Sequence, residues 1–117
     1  MSGFLTTHIL DTALGQPAAG LHIDLVRFEN GQLRHLTSMV TNDDGRTDSP
    51  ILPQDQFQIG QYELVFHAGD YLRKIHSNLA EPLFLDLIPI RFGMSENSHY
   101  HVPLLLSPFG YSTYRGS

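Results

Sequence analysis

The sequence predicts an all-β fold, a two-sheet β-sandwich with one short helix, on three observations. Apolar residues recur with a period of two in several segments, the spacing that puts them on one face of a strand. Turn-forming clusters of Gly, Pro, Asn and Asp interrupt the chain at intervals of roughly 8 to 12 residues, as in sandwiches. One segment alone carries a helical stripe.

Leu5-Thr6-Thr7-His8-Ile9-Leu10 is the first predicted strand. Residues 11–20 follow as a turn region broken by Gly15, Pro17 and Gly20, with Asp11 expected to organise the turn rather than act as an acid. Leu21, Ile23 and Leu25 alternate with His22 and Asp24 in a second strand. The slip to Val26 and Phe28 predicts a bulge or a strand buried on both faces. Glu29-Asn30-Gly31-Gln32 is a hairpin connection centred on Asn-Gly, leading to a strand over residues 33–40. Asn42-Asp43-Asp44-Gly45 is a further turn. Tyr62, Leu64 and Phe66 alternate cleanly with Glu63, Val65 and His67. Residues 70–77 form the predicted helix, opened by Gly69-Asp70 and striped by Tyr71, Leu72 and Ile75. Strands over 85–94, 100–106 and 110–114 complete the chain, with Tyr62, Phe66 and Phe92 expected in the core.

Composition narrows the possible functions. A chain of 117 residues predicts one domain over residues 1–117, and at this size about two-thirds of the extended surface is buried without staples. No cysteine is present, which removes disulfides, thiolate nucleophiles and cysteine-held zinc. A net charge of −5 with only seven Lys plus Arg and no basic run argues against nucleic acid. No apolar stretch approaches the roughly 18 residues of a membrane span. The opening residues lack a charged and then apolar leader pattern, so the expected location is cytoplasmic.

The segment that carries chemistry is His99-Tyr100-His101-Val102-Pro103-Leu104-Leu105-Leu106. In a strand, Tyr100, Val102, Leu104 and Leu106 share the core face, which leaves His99 and His101 side by side on the other. Two imidazoles so placed titrate near neutral pH and are available for proton transfer. The last residues, Tyr114-Arg115-Gly116-Ser117, continue almost directly from a strand and are rich in donors. His8 by itself reads as an ordinary interfacial histidine. Arg46, after Asp43-Asp44-Gly45, reads as a turn arginine paired to a surface carboxylate. His22, His35, His67 and His76 read as isolated, most of them on the solvent side of strands. A zinc hydrolase with His8, His99 and His101 as ligands is one alternative, but Glu96 is the only carboxylate near the His99–His101 pair in sequence to support it.

Several motifs point further. Thr7-His8-Ile9-Leu10-Asp11 with Gly15-Gln16-Pro17-Ala18, Thr41-Asn42-Asp43-Asp44-Gly45-Arg46, the His99-to-Pro108 segment and the terminal Tyr114-Arg115-Gly116-Ser117 together resemble the transthyretin-like family. The last two are similar to its enzyme branch, the 5-hydroxyisourate hydrolases. The resemblance implies a transthyretin-like sandwich assembled as a homotetramer, with active sites in a channel between dimers. It also implies hydrolytic ring opening of 5-hydroxyisourate, a product of urate oxidation, to 2-oxo-4-hydroxy-4-carboxy-5-ureidoimidazoline. Carried over by position, it places His8, Arg46 and His101 at the catalytic centre, with Tyr114 and Ser117 from the terminal motif nearby, and needs no cofactor or metal; His99, paired with His101 on the strand, joins the expected substrate contacts. The residue types suit that reaction, since a neutral imidazole is a base near neutral pH and a guanidinium is a planar fork for carbonyl and ring-nitrogen edges. A carrier of an aromatic small molecule is the competing reading; it favours an apolar channel over imidazoles and a guanidinium.

Overall fold

Alternation in sequence becomes alternation in burial. The computed structural model describes residues 3–116. Eight strands form among them: β1 (Phe4–Asp11), β2 (Gln16–Pro17), β3 (His22–Glu29), β4 (Gln32–Val40), β5 (Gly60–His67), β6 (Leu87–Met94), β7 (His99–Ser107) and β8 (Gly110–Thr113). One helix, α1 (Ala68–Ile75), follows β5, and a 3-10 turn covers Gln54–Gln56. The strands make two four-stranded sheets, ordered β2-β1-β7-β8 and β4-β3-β5-β6. Between them lies a core of Leu5, Ile9, Ile23, Leu25, Tyr62, Leu64, Phe66, Leu104 and Leu106, all fully buried. Burying one such side chain contributes about 1.5–3 kcal/mol. Phe92 packs against this core from its edge.

Within the first sheet, β1 and β7 run parallel, with Thr6 opposite His101 and His8 opposite Pro103. The inward faces hold Leu5, Thr7, Ile9 and Asp11 from β1, and Tyr100, Val102, Leu104 and Leu106 from β7. The outward face is left with Phe4, Thr6, His8, His99 and His101. That register is what assembles the site.

The expected bulge exists, but its extra residue lies on β4. Leu25 pairs with Thr37 and Val26 with His35, so Leu36 is the residue left over. Inward alternation in β3 continues to Arg27, so Val26 and Phe28 do not turn to the core. Arg27 is buried because Glu29 accepts from its guanidinium at 2.7 Å and its Cζ lies 5.8 Å from the Tyr62 ring centroid. Phe28 stays outside under the Arg91 guanidinium, 3.9 Å from its ring centroid.

The helix begins two residues before the expected start. It has Asp70 in its first turn and Arg73 and Lys74 in its last, the arrangement that the helix dipole favours. Its buried face holds Ala68, Gly69, Tyr71 and Leu72. Asp11, wholly buried, accepts hydrogen bonds from the Tyr71 hydroxyl (2.7 Å), His76 Nε2 (2.8 Å) and the Leu14 amide (3.1 Å). His76 is therefore no solvent-facing histidine but a clamp between helix and first sheet. The bond to Leu14 is the turn-organising role expected of Asp11. No helix among the described residues is long and apolar enough to cross a membrane.

Candidate active site

The outward face of β1 and β7 is built from side chains two residues apart. The His99 ring stacks on Phe4, with centroids 4.1 Å apart and planes within 6°. Thr6 Oγ1 lies 2.7 Å from His99 Nε2 and 2.8 Å from His101 Nδ1, so one hydroxyl bridges both imidazoles. Thr6 went unremarked in the sequence. The parallel β1–β7 register makes it part of the site, and no local pattern signals that pairing.

Arg46 reaches this face through the turn after β4. Asn42 Oδ1 accepts from the Asp44 and Arg46 amides at 2.9 and 3.2 Å. The Gly45 carbonyl accepts from the Ile9 amide at 2.8 Å. Gly45 has φ +75°, and a Cβ there would collide with the Ile9 carbonyl oxygen, so only glycine lets the turn lie against β1. An antiparallel bridge between His8 and Arg46 results. Among the described residues Arg46 has no carboxylate within ion-pair distance. The turn-arginine reading therefore loses its partner.

A cleft of about 440 Å³ opens here, lined by Arg46, His99 and His101 with Thr6, Asp48 and Ser49. Burial first, and then the Arg46 guanidinium, lower the pKa of both His8 and His101 from the ordinary imidazole value; His99 and His8 depress His101 further, while Asp44 partly opposes the shift at His8. Both rings are held towards the neutral form that accepts a proton.

The terminal segment is divided. Gly116 forms an antiparallel bridge with His101, its amide donating to the His101 carbonyl at 2.6 Å. A Cβ on Gly116 would lie 2.7 Å from Cδ2 of the His101 ring. Close approach, not an unusual φ, is what requires glycine at this position. Arg115 is anchored with its Cζ 4.0 Å from the Tyr100 ring centroid. Tyr114 is exposed and lines a separate groove with Ile90, Phe92 and Val102, so within one chain its phenol does not join the His101 cleft. Ser117 lies outside the described residues. His8, His99 and His101 do not meet as a three-ligand group either; among the described residues only His22, Asp24 and His67 bring metal-ligating atoms that close together.

The family model described as the HIUase/Transthyretin family matches residues 5–116. The chain belongs to that family. It is 63% identical to 5-hydroxyisourate hydrolase 2 of Rhizobium meliloti, over 99% of this chain and 98% of the relative. It is 61% identical to the 5-hydroxyisourate hydrolase of Mesorhizobium japonicum, over 98% and 93% respectively. The structure of Klebsiella pneumoniae 5-hydroxyisourate hydrolase superposes with a TM-score of 0.79 at 32% identity, covering 98% of this chain and 94% of that one. In this chain the cleft thus joins the neutral-leaning His101, tied to His99 through Thr6, with the Arg46 guanidinium, and His8 is bridged to Arg46 beside it.

Proposed function

We propose that this chain hydrolyses 5-hydroxyisourate, opening its cyclic acyl-urea linkage in urate catabolism, by imidazole-activated water without a metal. The observation that carries the reading is that His101 and Arg46 line one cleft, with His8 bridged to Arg46 beside it and both imidazole pKa values lowered.

His101 is the general base. Its Nδ1 is committed to Thr6, leaving Nε2 for water. A base at Nε2 carries its proton on Nδ1, which donates to Thr6 Oγ1; the Thr6 hydroxyl then donates to His99 Nε2, and Phe4 holds that ring by stacking. Such a partner fixes both tautomer and ring orientation. Water loses a proton to His101 as its oxygen bonds to the acyl carbon. The carbonyl oxygen gains charge beside Arg46, and the acyl carbon–nitrogen bond then breaks as the imidazolium returns the proton to the leaving ring nitrogen. His8, beside Arg46, orients the ring. Arg46 also supplies the local attraction for an anionic purine-like substrate that a chain of net charge −5 lacks overall.

We further propose a cytoplasmic homotetramer in which Tyr114 and Ser117 contact substrate across an interface between chains. The exposed edges β6 and β8, unpaired on their outer sides among the described residues, support the assembly.

The test is to generate 5-hydroxyisourate in situ and follow its ultraviolet decay. The protein accelerates the decay, exhaustive chelation leaves the rate unchanged, His101→Ala falls roughly 100 to 10,000-fold through loss of the base, and His8→Ala and Arg46→Ala are severely impaired. Near-normal turnover in all three variants places the site elsewhere.

A further inference from the structure

His22 and His67, which the sequence presents as isolated, meet across the outward face of the second sheet. Asp24 lies two residues from His22 on β3, and His67 is the last residue of β5. His22 Nε2 is 2.9 Å from Asp24 Oδ1, and His67 Nε2 is 2.8 Å from Asp24 Oδ2. The two rings meet edge to face with centroids 4.3 Å apart. The β4 bulge adds to the cluster. Dropping Leu36 from the ladder brings both His35 and Ser38 to this face, three residues apart where unbroken alternation would separate them. Ser38 donates to Asp24 Oδ1 at 2.5 Å, and His35 Nε2 lies 2.9 Å from Ser38 Oγ and 3.7 Å from Asp24 Oδ1.

We infer that His22, Asp24 and His67 form a site for a divalent first-row transition ion such as zinc, on the opposite outer face of the sandwich from the catalytic cleft. The donor set, two imidazole nitrogens and one carboxylate oxygen, is one that zinc accepts while keeping a fourth position open. The ligating atoms all lie within 4.8 Å of one another. Tetrahedral zinc with bonds near 2.0 Å separates its ligand atoms by ~3.3 Å, inside the span that the three ligating atoms already share. Each imidazole would take its Nδ1–H tautomer to free Nε2 for the ion.

The ligand-bearing residues are half-buried, with side chains 43%, 24% and 27% exposed for His22, Asp24 and His67, so an ion can enter without unfolding. Asp24 is preformed as an anion: desolvation opposes this, but hydrogen bonds from Ser38, His67 and His22 hold its pKa well below the usual carboxylate range. His67 also occupies the N-cap position of α1, where its side chain makes no capping hydrogen bond. An ion there ties the joint between β5 and the helix to β3.

Zinc titration by calorimetry, run on a His99→Ala/His101→Ala variant, tests the site without interference from the cleft. One zinc per chain is expected, with a higher melting temperature in its presence. Adding His22→Ala or His67→Ala should weaken binding by more than the ~10 to 100-fold that loss of a supporting partner costs, and abolish the four-coordinate cobalt visible spectrum. In the otherwise unaltered chain, His22→Gln and Asp24→Asn should leave ring-opening turnover unchanged. Zinc binding no tighter in the His99→Ala/His101→Ala variant than in the variants also lacking His22 or His67 overturns the assignment. A cobalt spectrum that depends on His99 and His101 but not on His22 or His67 overturns it equally.

Discussion

Arg46 acts on the site from a distance as well as by contact. Its charge is the second cause, after burial, of the lowered pKa of His8 and of His101. The proposed base works when neutral, so kcat/KM is expected to hold as pH falls through the ordinary imidazole value near 6.5 and to decline only through the lowered one. Removing the charge reverses the sign: Arg46→Gln lets both histidines protonate at higher pH. Imidazole proton shifts followed by NMR should show both titrations displaced upward in that variant, and unmoved titrations would remove Arg46 from the electrostatics. Gly116 exerts a steric influence instead. With a Cβ placed 2.7 Å from the His101 ring, Gly116→Ala must displace either the ring or the terminal segment. Turnover is expected to fall at least ~10-fold, ~1.4 kcal/mol of transition-state stabilisation, while the melting temperature stays close to wild type. His8, Arg46, His99 and His101 enter the proposed site by motif resemblance, and the structure brings Arg46, His99 and His101 to one cleft. Thr6 was not, because its role depends on a parallel partner more than 90 residues away in sequence.

At the scale of elements, period-two alternation marked β3, β5 and β7, while the Asn-Gly and Asp-Gly signals found turns and the strand that follows Asn30-Gly31. Other features were hidden for physical reasons. β2 is two residues long, too short for any period to show. The bulge shifts pairing on β4 while β3 keeps its alternation, so nothing in the β3 sequence marked its place. His22 and His67 looked isolated because they are 45 positions apart in sequence, and strand pairing alone brings them together. The same holds for the Asp11, Tyr71 and His76 clamp. It fastens α1 to β1, and Tyr71 has its pKa raised by burial and by the Asp11 carboxylate. Asp11→Ala leaves a buried hydroxyl and an imidazole without their acceptor and is expected to cost about 3 kcal/mol in denaturant unfolding. Desolvation raises the Asp11 pKa, but the hydrogen bonds from Tyr71, His76 and Leu14 lower it overall. A carboxylate with a depressed folded pKa stabilises above its unfolded value near 4 and loses that contribution as pH falls through the folded one. The gap between wild type and Asp11→Ala should therefore narrow in acid, and a pH-independent gap would place the effect in packing alone.

The whole molecule presents its chemistry on an open surface. The cleft holding Arg46, His99 and His101 is a broad recess on the outer face of the first sheet, and Tyr114 turns to another groove. Water exclusion, which strengthens every charge interaction in a site, is poor on such a face. The sheet orders put β6 and β8 at one flank, and residues of both line a single groove there. One two-fold contact at that flank can therefore continue both sheets and cover Tyr111, which is exposed on β8. A second contact, face to face across the first sheet, would close the cleft and bring the terminal segments of neighbouring chains towards it. The expected mass by light scattering is four times the 13.2 kDa of one chain. Tyr111→Asp, which puts a charge on the β8 edge without touching the cleft, should shift the mass downward and lower turnover together, with circular dichroism unchanged. Partial dissociation at low protein concentration should lower specific activity in parallel. A monomeric Tyr111→Asp protein that retains full turnover would show that one chain suffices and that the open recess is the complete site.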